Sequence, residues 1–134
     1  MKKILIIFLF TFAVFQLYSC NDSNSNIIGN PDGQFIGEIV LLDSLGANPL
    51  NGTIKLTQTN NTDLIGSWIL QNGQNGKLTG LINDMKVNIN LNPDFVDKNT
   101  VLLGNFDGMS IKGQWYHSSI VGLDNKGTFV ATGY

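Results

Sequence analysis

The chain holds one histidine, His117, and one cysteine, Cys20. Acid–base or nucleophilic catalysis needs a base within reach of a nucleophile and a third group to orient it. Ser118 and Ser119 follow His117, but there is no Gly-x-Ser-x-Gly elbow. The chain is therefore read as a non-enzyme, with His117 at a strand end or rim. A structural zinc site takes four nitrogen or sulfur ligands, which one histidine and one cysteine cannot supply. Asp94, Asp97 and Asn99 place oxygen ligands in one segment, without the Asp/Asn alternation and closing Glu of an EF-hand. No metal and no cofactor is expected. The side chains with the most surface to offer a ligand are Trp68 and Trp115. They occur in Ile65-Gly66-Ser67-Trp68 and Lys112-Gly113-Gln114-Trp115. With His117 they form the candidate set, either packed in a core or stacked on a ligand. If buried, each indole N–H needs an acceptor.

The setting of Cys20 carries a different chemistry. Met1-Lys2-Lys3 is positive, and Ile4 to Phe15 is apolar except for Thr11, the pattern of an export signal. As a helix the apolar run would span roughly 18 Å, short of a bilayer core of about 30 Å. Leu17-Tyr18-Ser19-Cys20 then resembles the lipobox of bacterial lipoproteins. That resemblance implies cleavage between Ser19 and Cys20, diacylglycerol on the Cys20 thiol, and a lipid-anchored protein of the cell envelope, most readily the outer membrane. It also implies that a reactive lone thiol is consumed. The expected organisation is a signal peptide over 1–19, a lipidated cysteine with a polar tether over 20–32, and one domain over 33–134.

From Cys20 onward there are six Lys, no Arg, nine Asp and one Glu, a formal charge of 6 − 10 = −4. Without arginine there is no bidentate phosphate clamp, and without a basic patch nucleic acid is excluded as a partner. No cysteine pair is present, so the fold must rest on its core alone. Asn, Gly and Thr are abundant while Ala and Glu are scarce, which disfavours helix.

Alternating apolar and polar residues recur instead. Met85-Lys86-Val87-Asn88-Ile89-Asn90-Leu91 is the clearest case. Such runs predict eight strands, over about 34–43, 52–60, 63–71, 77–83, 85–91, 100–106, 109–117 and 127–133. Asp107-Gly108 is the strongest hairpin signal, and Asn51-Gly52, Asn72-Gly73, Asn75-Gly76 and Asn83-Asp84 mark further turns. Pro49 and Pro93 fall between strands, where no ladder hydrogen is lost. The fold class is all-β, an eight-stranded antiparallel up-and-down meander closing into a small barrel. An open curled sheet or a sandwich is the alternative.

An internal repeat is visible. Thr53-Ile54-Lys55-Leu56 matches Thr100-Val101-Leu102-Leu103, and a Gly-x-Trp follows each at the same distance. After each Trp comes a glycine-led strand, Gly76-Lys77-Leu78-Thr79-Gly80 or Gly127-Thr128-Phe129. The first Gly-x-Trp with its Leu-Thr-Gly strand resembles avidin-like and lipocalin-like barrels over about twenty residues. Here the motif stands on the third strand and is repeated, so the resemblance implies a scaffold and not a biotin site. A glycine two residues before each Trp is expected to leave room for an indole. The expected function is a lipid-anchored, non-catalytic binding module for a small molecule, glycan or protein. The alternative is an accessory envelope lipoprotein with no small ligand. Asp43-Ser44-Leu45 resembles a short O-glycosylation acceptor of exported bacterial proteins.

Overall fold

The computed structural model describes residues 28, 32–95 and 99–134. Cys20, Ser19 and Asp97 lie outside them. Eight strands run in order: β1 (Gln34–Asp43), β2 (Leu50–Gln58), β3 (Asp63–Leu70), β4 (Asn75–Asn83), β5 (Lys86–Asn90), β6 (Asn99–Phe106), β7 (Ser110–Ser119) and β8 (Gly122–Gly133). Each pairs antiparallel with the next, and β8 closes on β1 from Gly37↔Gly133 to Asp43↔Gly127. This is a closed up-and-down barrel of the lipocalin-like kind, and the open-sheet and sandwich alternatives are set aside. Closure leaves no sheet edge along the barrel wall.

Strict alternation puts one face of every strand inside. Phe35, Ile39 and Leu41 of β1 point inward, as do Ile54 and Leu56 of β2, and Leu64, Trp68 and Leu70 of β3. Leu78, Ile82, Val87, Ile89, Leu102, Phe106, Ile111, Phe129 and Ala131 complete the lining, with Leu91 beside them. The rings of Phe35 and Phe106 meet edge to face at 6.1 Å, a favoured aromatic geometry. These side chains form one buried cluster inside the barrel.

Glycine makes such a narrow barrel possible. A Cβ on Gly66 would stand 1.8 Å from the Lys55 carbonyl oxygen, and one on Gly113 would stand 2.0 Å from that of Leu103. Neighbouring backbones cross where those side chains would have to be. The space beside these glycines, expected from the sequence to hold an indole, holds the backbone of the adjacent strand.

The same reasoning corrects two expected turns. Asn51-Gly52 and Asn75-Gly76 lie within β2 and β4. A Cβ on Gly52 would meet the Ile69 carbonyl oxygen at 2.2 Å, so this glycine serves close approach rather than a turn. Asn72-Gly73 and Asp107-Gly108 do form connections, with Gly73 at φ 86° and Gly108 at φ 99°. The β4–β5 turn falls at Asp84 and Met85, φ 46° and 68°.

Two further differences concern extent. β8 begins at Gly122, not 127, because Gly122 to Asn125 pair with the upper part of β7 beyond an irregularity at Trp115/Tyr116 that leaves Lys126 without a register partner. The Asp124-Asn125-Lys126-Gly127 run looks like a turn but is carried as strand by that partner. At the other end, Ile28 falls in the segment expected to be tether, yet it is 0 % exposed within the core cluster. Its N–H donates to the Gln58 side-chain oxygen at 3.2 Å.

The repeat is partly upheld. Gly66 and Trp68 face inward, as do Gly113 and Trp115 four strands later. Its first limb is out of phase: Ile54 and Leu56 are buried, whereas Leu102, not Val101 or Leu103, is the buried member of the second run.

Candidate functional site

Antiparallel order gives the barrel two ends. The β1–β2, β3–β4, β5–β6 and β7–β8 connections share one, called here the loop end. Ile28, Gly33, the other three connections and Tyr134 share the opposite, entry end.

Both tryptophans stand towards the loop end, on β3 and β7. Trp68 pairs across the ladder with Gly76 of β4, and Trp115 with Gly127 of β8. Each indole reaches over that glycine to the strand beyond. The Trp68 indole N–H donates to the carbonyl oxygen of Leu91, just past β5, and also approaches that of Lys77 at 3.3 Å. The Trp115 indole N–H donates to the Leu42 carbonyl oxygen of β1 at 2.7 Å. A Cβ on Gly76 would stand 3.2 Å from the Trp68 ring nitrogen. Each tryptophan is thus a strap across three strands, and the two straps are related by a shift of four strands. Trp68 is 7 % exposed, and Trp115 is half-buried against the core. The single polar atom of each is spent on a backbone carbonyl.

His117 lies above Trp115 on β7, half-buried, opposite Thr100 of β6 and Asp124 of β8. The Asp124 carboxylate is paired with Lys126. Ser119 donates its hydroxyl to the Gly122 carbonyl at 3.3 Å. No hydrogen bond joins His117 to either serine, so the structure does not assemble an acid–base–nucleophile set from these residues. Among the described residues, no three His, Cys, Asp or Glu side chains cluster as metal ligands. Asn99, read as an oxygen donor, is buried, and its side-chain oxygen accepts the Asn92 N–H at 3.2 Å.

Polar side chains at the connections mostly satisfy their own backbone. Asp43 accepts from the amides of Leu45 (3.0 Å) and Ala47 (2.8 Å) and from the Asn48 side chain (2.9 Å). The Asn48 bond leads in holding its carboxyl below the ordinary value. Asp107 accepts from the Ser110 hydroxyl (2.7 Å), the Met109 amide (3.0 Å) and the Ser110 amide (2.7 Å). Those bonds, with the Ser110 hydroxyl first, hold Asp107 far below the usual carboxylate range.

What sequence reasoning missed are the surfaces outside the core. At the loop end, Leu45, Phe95, Ile120, Val121 and Leu123 are exposed, with Ile120 at 87 % and Val121 at 98 %. Two β-branched residues at a hairpin tip are unusual, since Asn and Gly favour such turns. Ser119-Ile120-Val121-Gly122 in sequence carries that signal, because nothing there predicts burial. At the entry end, Met109 and Tyr134 are exposed beside a cleft of about 260 Å³ reaching Phe35 and Ile36. On the barrel wall a depression of about 560 Å³ lies over β1–β3, bordered by Glu38, Asn51, Thr53 and Gln71. Ser44 is exposed in the β1–β2 connection.

No known family matches the chain, and neither a curated protein nor a solved structure does. The function is therefore argued from the barrel itself.

Proposed function

We propose that this is a lipid-anchored lipoprotein of the bacterial cell envelope, non-catalytic, whose barrel engages a protein partner through its loop end. One observation carries the choice of partner class. The inward-facing aliphatic and aromatic side chains are buried against one another, while large apolar side chains stand in solvent on three of the four loop-end connections. A small-molecule carrier places its apolar surface inside. Here the surplus apolar surface is outside, as at a macromolecular contact. The lipid anchor rests on Leu17-Tyr18-Ser19-Cys20.

Two substitutions test the two halves. Cys20→Ser abolishes incorporation of a lipid probe and leaves the precursor uncleaved, because the chain has no other thiol. Normal labelling of that variant ends the lipoprotein reading. A photo-crosslinking residue at Val121 gives a discrete adduct in intact cells, whereas one at Lys55, on the outer wall, gives none. Equal behaviour at the two positions removes the loop end as the contact.

A further inference from the structure

The entry end carries its own apolar surface, and its parts are tied together by backbone. The Phe106 amide donates to the Met85 carbonyl at 2.8 Å, joining the β4–β5 turn to the end of β6. The Gly133 amide donates to the Met109 carbonyl at 2.8 Å, and the Tyr134 amide to that of Ile36 at 3.1 Å. Met85, Met109 and Tyr134 therefore form one arc around the rim, with Met109 at 74 % and Tyr134 at 83 % exposure. The cleft lined by Phe35, Ile36 and Gly133 opens beside it. Met85 is held at φ 68°, where glycine or asparagine is the ordinary occupant. A strained backbone that carries an exposed apolar side chain points to use of that side chain.

We infer that this arc lies against the lipid bilayer, with Met109 among the acyl chains and Tyr134 at the headgroups. The inference rests on the lipid-anchor reading and adds a geometry to it. Ile28 is packed at the entry end, bonded to Gln58 at the foot of β2. Seven residues lie between it and Cys20, eight Cα-to-Cα steps with a reach of roughly 26–29 Å when fully extended. Ten tilted strand residues make the barrel about 25 Å tall. Turning the loop end to the membrane would need nearly the full contour length of the residues between Cys20 and Ile28, whereas the entry end needs little of it. Methionine adapts to irregular apolar surroundings, and tyrosine suits a bilayer interface. Asp107, two residues before Met109, is bonded within its own turn and ion-paired to Lys112 at 3.3 Å, so its charge is compensated locally. In this orientation Ile120 and Val121 face the aqueous compartment, where a protein partner would find them.

The test uses the mature lipidated chain. Once Cys20 carries lipid, a cysteine introduced as Met109→Cys or Val121→Cys is the only free thiol, and each is labelled with an environment-sensitive fluorophore. The proteins are reconstituted into phosphatidylcholine vesicles with or without nitroxide-labelled lipid. The expected result is co-flotation of both, with lipid quenching and a blue shift for the 109 label and neither for the 121 label. Co-flotation with an unquenched 109 label overturns the inference and leaves the anchor standing. Quenching at 121 in place of 109 overturns it by reversing the orientation. A chain that bears no lipid, does not float and keeps its 109 label in water overturns both readings.

Discussion

Trp68 lies over Gly76 and ends its reach at the backbone of the strand beyond, where its indole N–H meets the Leu91 carbonyl. Trp115 repeats the arrangement over Gly127 to Leu42. Each strap buries aromatic area and satisfies a polar atom at the same time. Trp68→Ala and Trp115→Ala are each expected to lower stability by about 3–5 kcal/mol, the range for aromatic truncation in cores, with Trp68 the costlier because it is more fully buried. Urea unfolding measures this. A loss under about 1 kcal/mol for both would show that the straps do not hold the barrel.

The glycines separate two kinds of crowding. Gly66→Ala drives a Cβ into the Lys55 backbone oxygen, which cannot move without displacing β2. Gly76→Ala meets only side-chain atoms, at 3.2 Å. Overpacking costs about 1–3 kcal/mol or more, so Gly66→Ala is expected to sit at or above the top of that range and Gly76→Ala near the bottom. Equal midpoints in a denaturant titration would contradict the backbone-crossing account.

Ile28 adds to the core from outside the strands. A fragment beginning at Ile28 is expected to be more stable than one beginning at Gly33, by about 1.5–3 kcal/mol for one fully buried aliphatic side chain. Both should give an all-β circular dichroism spectrum. Identical thermal midpoints for the two fragments would show that Ile28 adds nothing.

Asp107 sets a pH dependence. Its carboxyl is held below the ordinary 3.8, so the folded state prefers the ionised form. That contribution is complete above the unfolded value and disappears as pH falls through the folded one. Asp107→Asn is expected to be less stable than the unmodified protein at neutral pH, with the gap narrowing as pH drops below about 4. Unfolding curves at neutral and acid pH check this, and a gap that widens on acidification reverses the sign. The Asp107 side chain is 53 % exposed, so water screens the effect and keeps it small.

Strand number, order and inward faces are local properties, and the residues declare them. Met85 to Leu91 alternates, Asp107-Gly108 turns, and both Gly-x-Trp pairs stand on inward faces, because side chains change sides every residue and turns need particular backbone angles. The close approach of neighbouring strands is not local. It appears in the closed barrel, where the adjacent strand's backbone stands where a Cβ on Gly52, Gly66 or Gly113 would be. An Asn-Gly pair that serves a turn and one that admits a neighbouring strand read alike, and only the Ile69 carbonyl oxygen, 2.2 Å from where a Cβ on Gly52 would stand, tells them apart. Gly122 to Asn125 became strand because β7 extends past the bulge to meet them, and Ile28 entered the core because the barrel mouth was there to receive it. Residue types could nominate Trp68, Trp115 and His117 as a ligand set. The carbonyls of Leu91 and Leu42, brought from strands 23 and 73 residues away along the chain, turned two of them into straps.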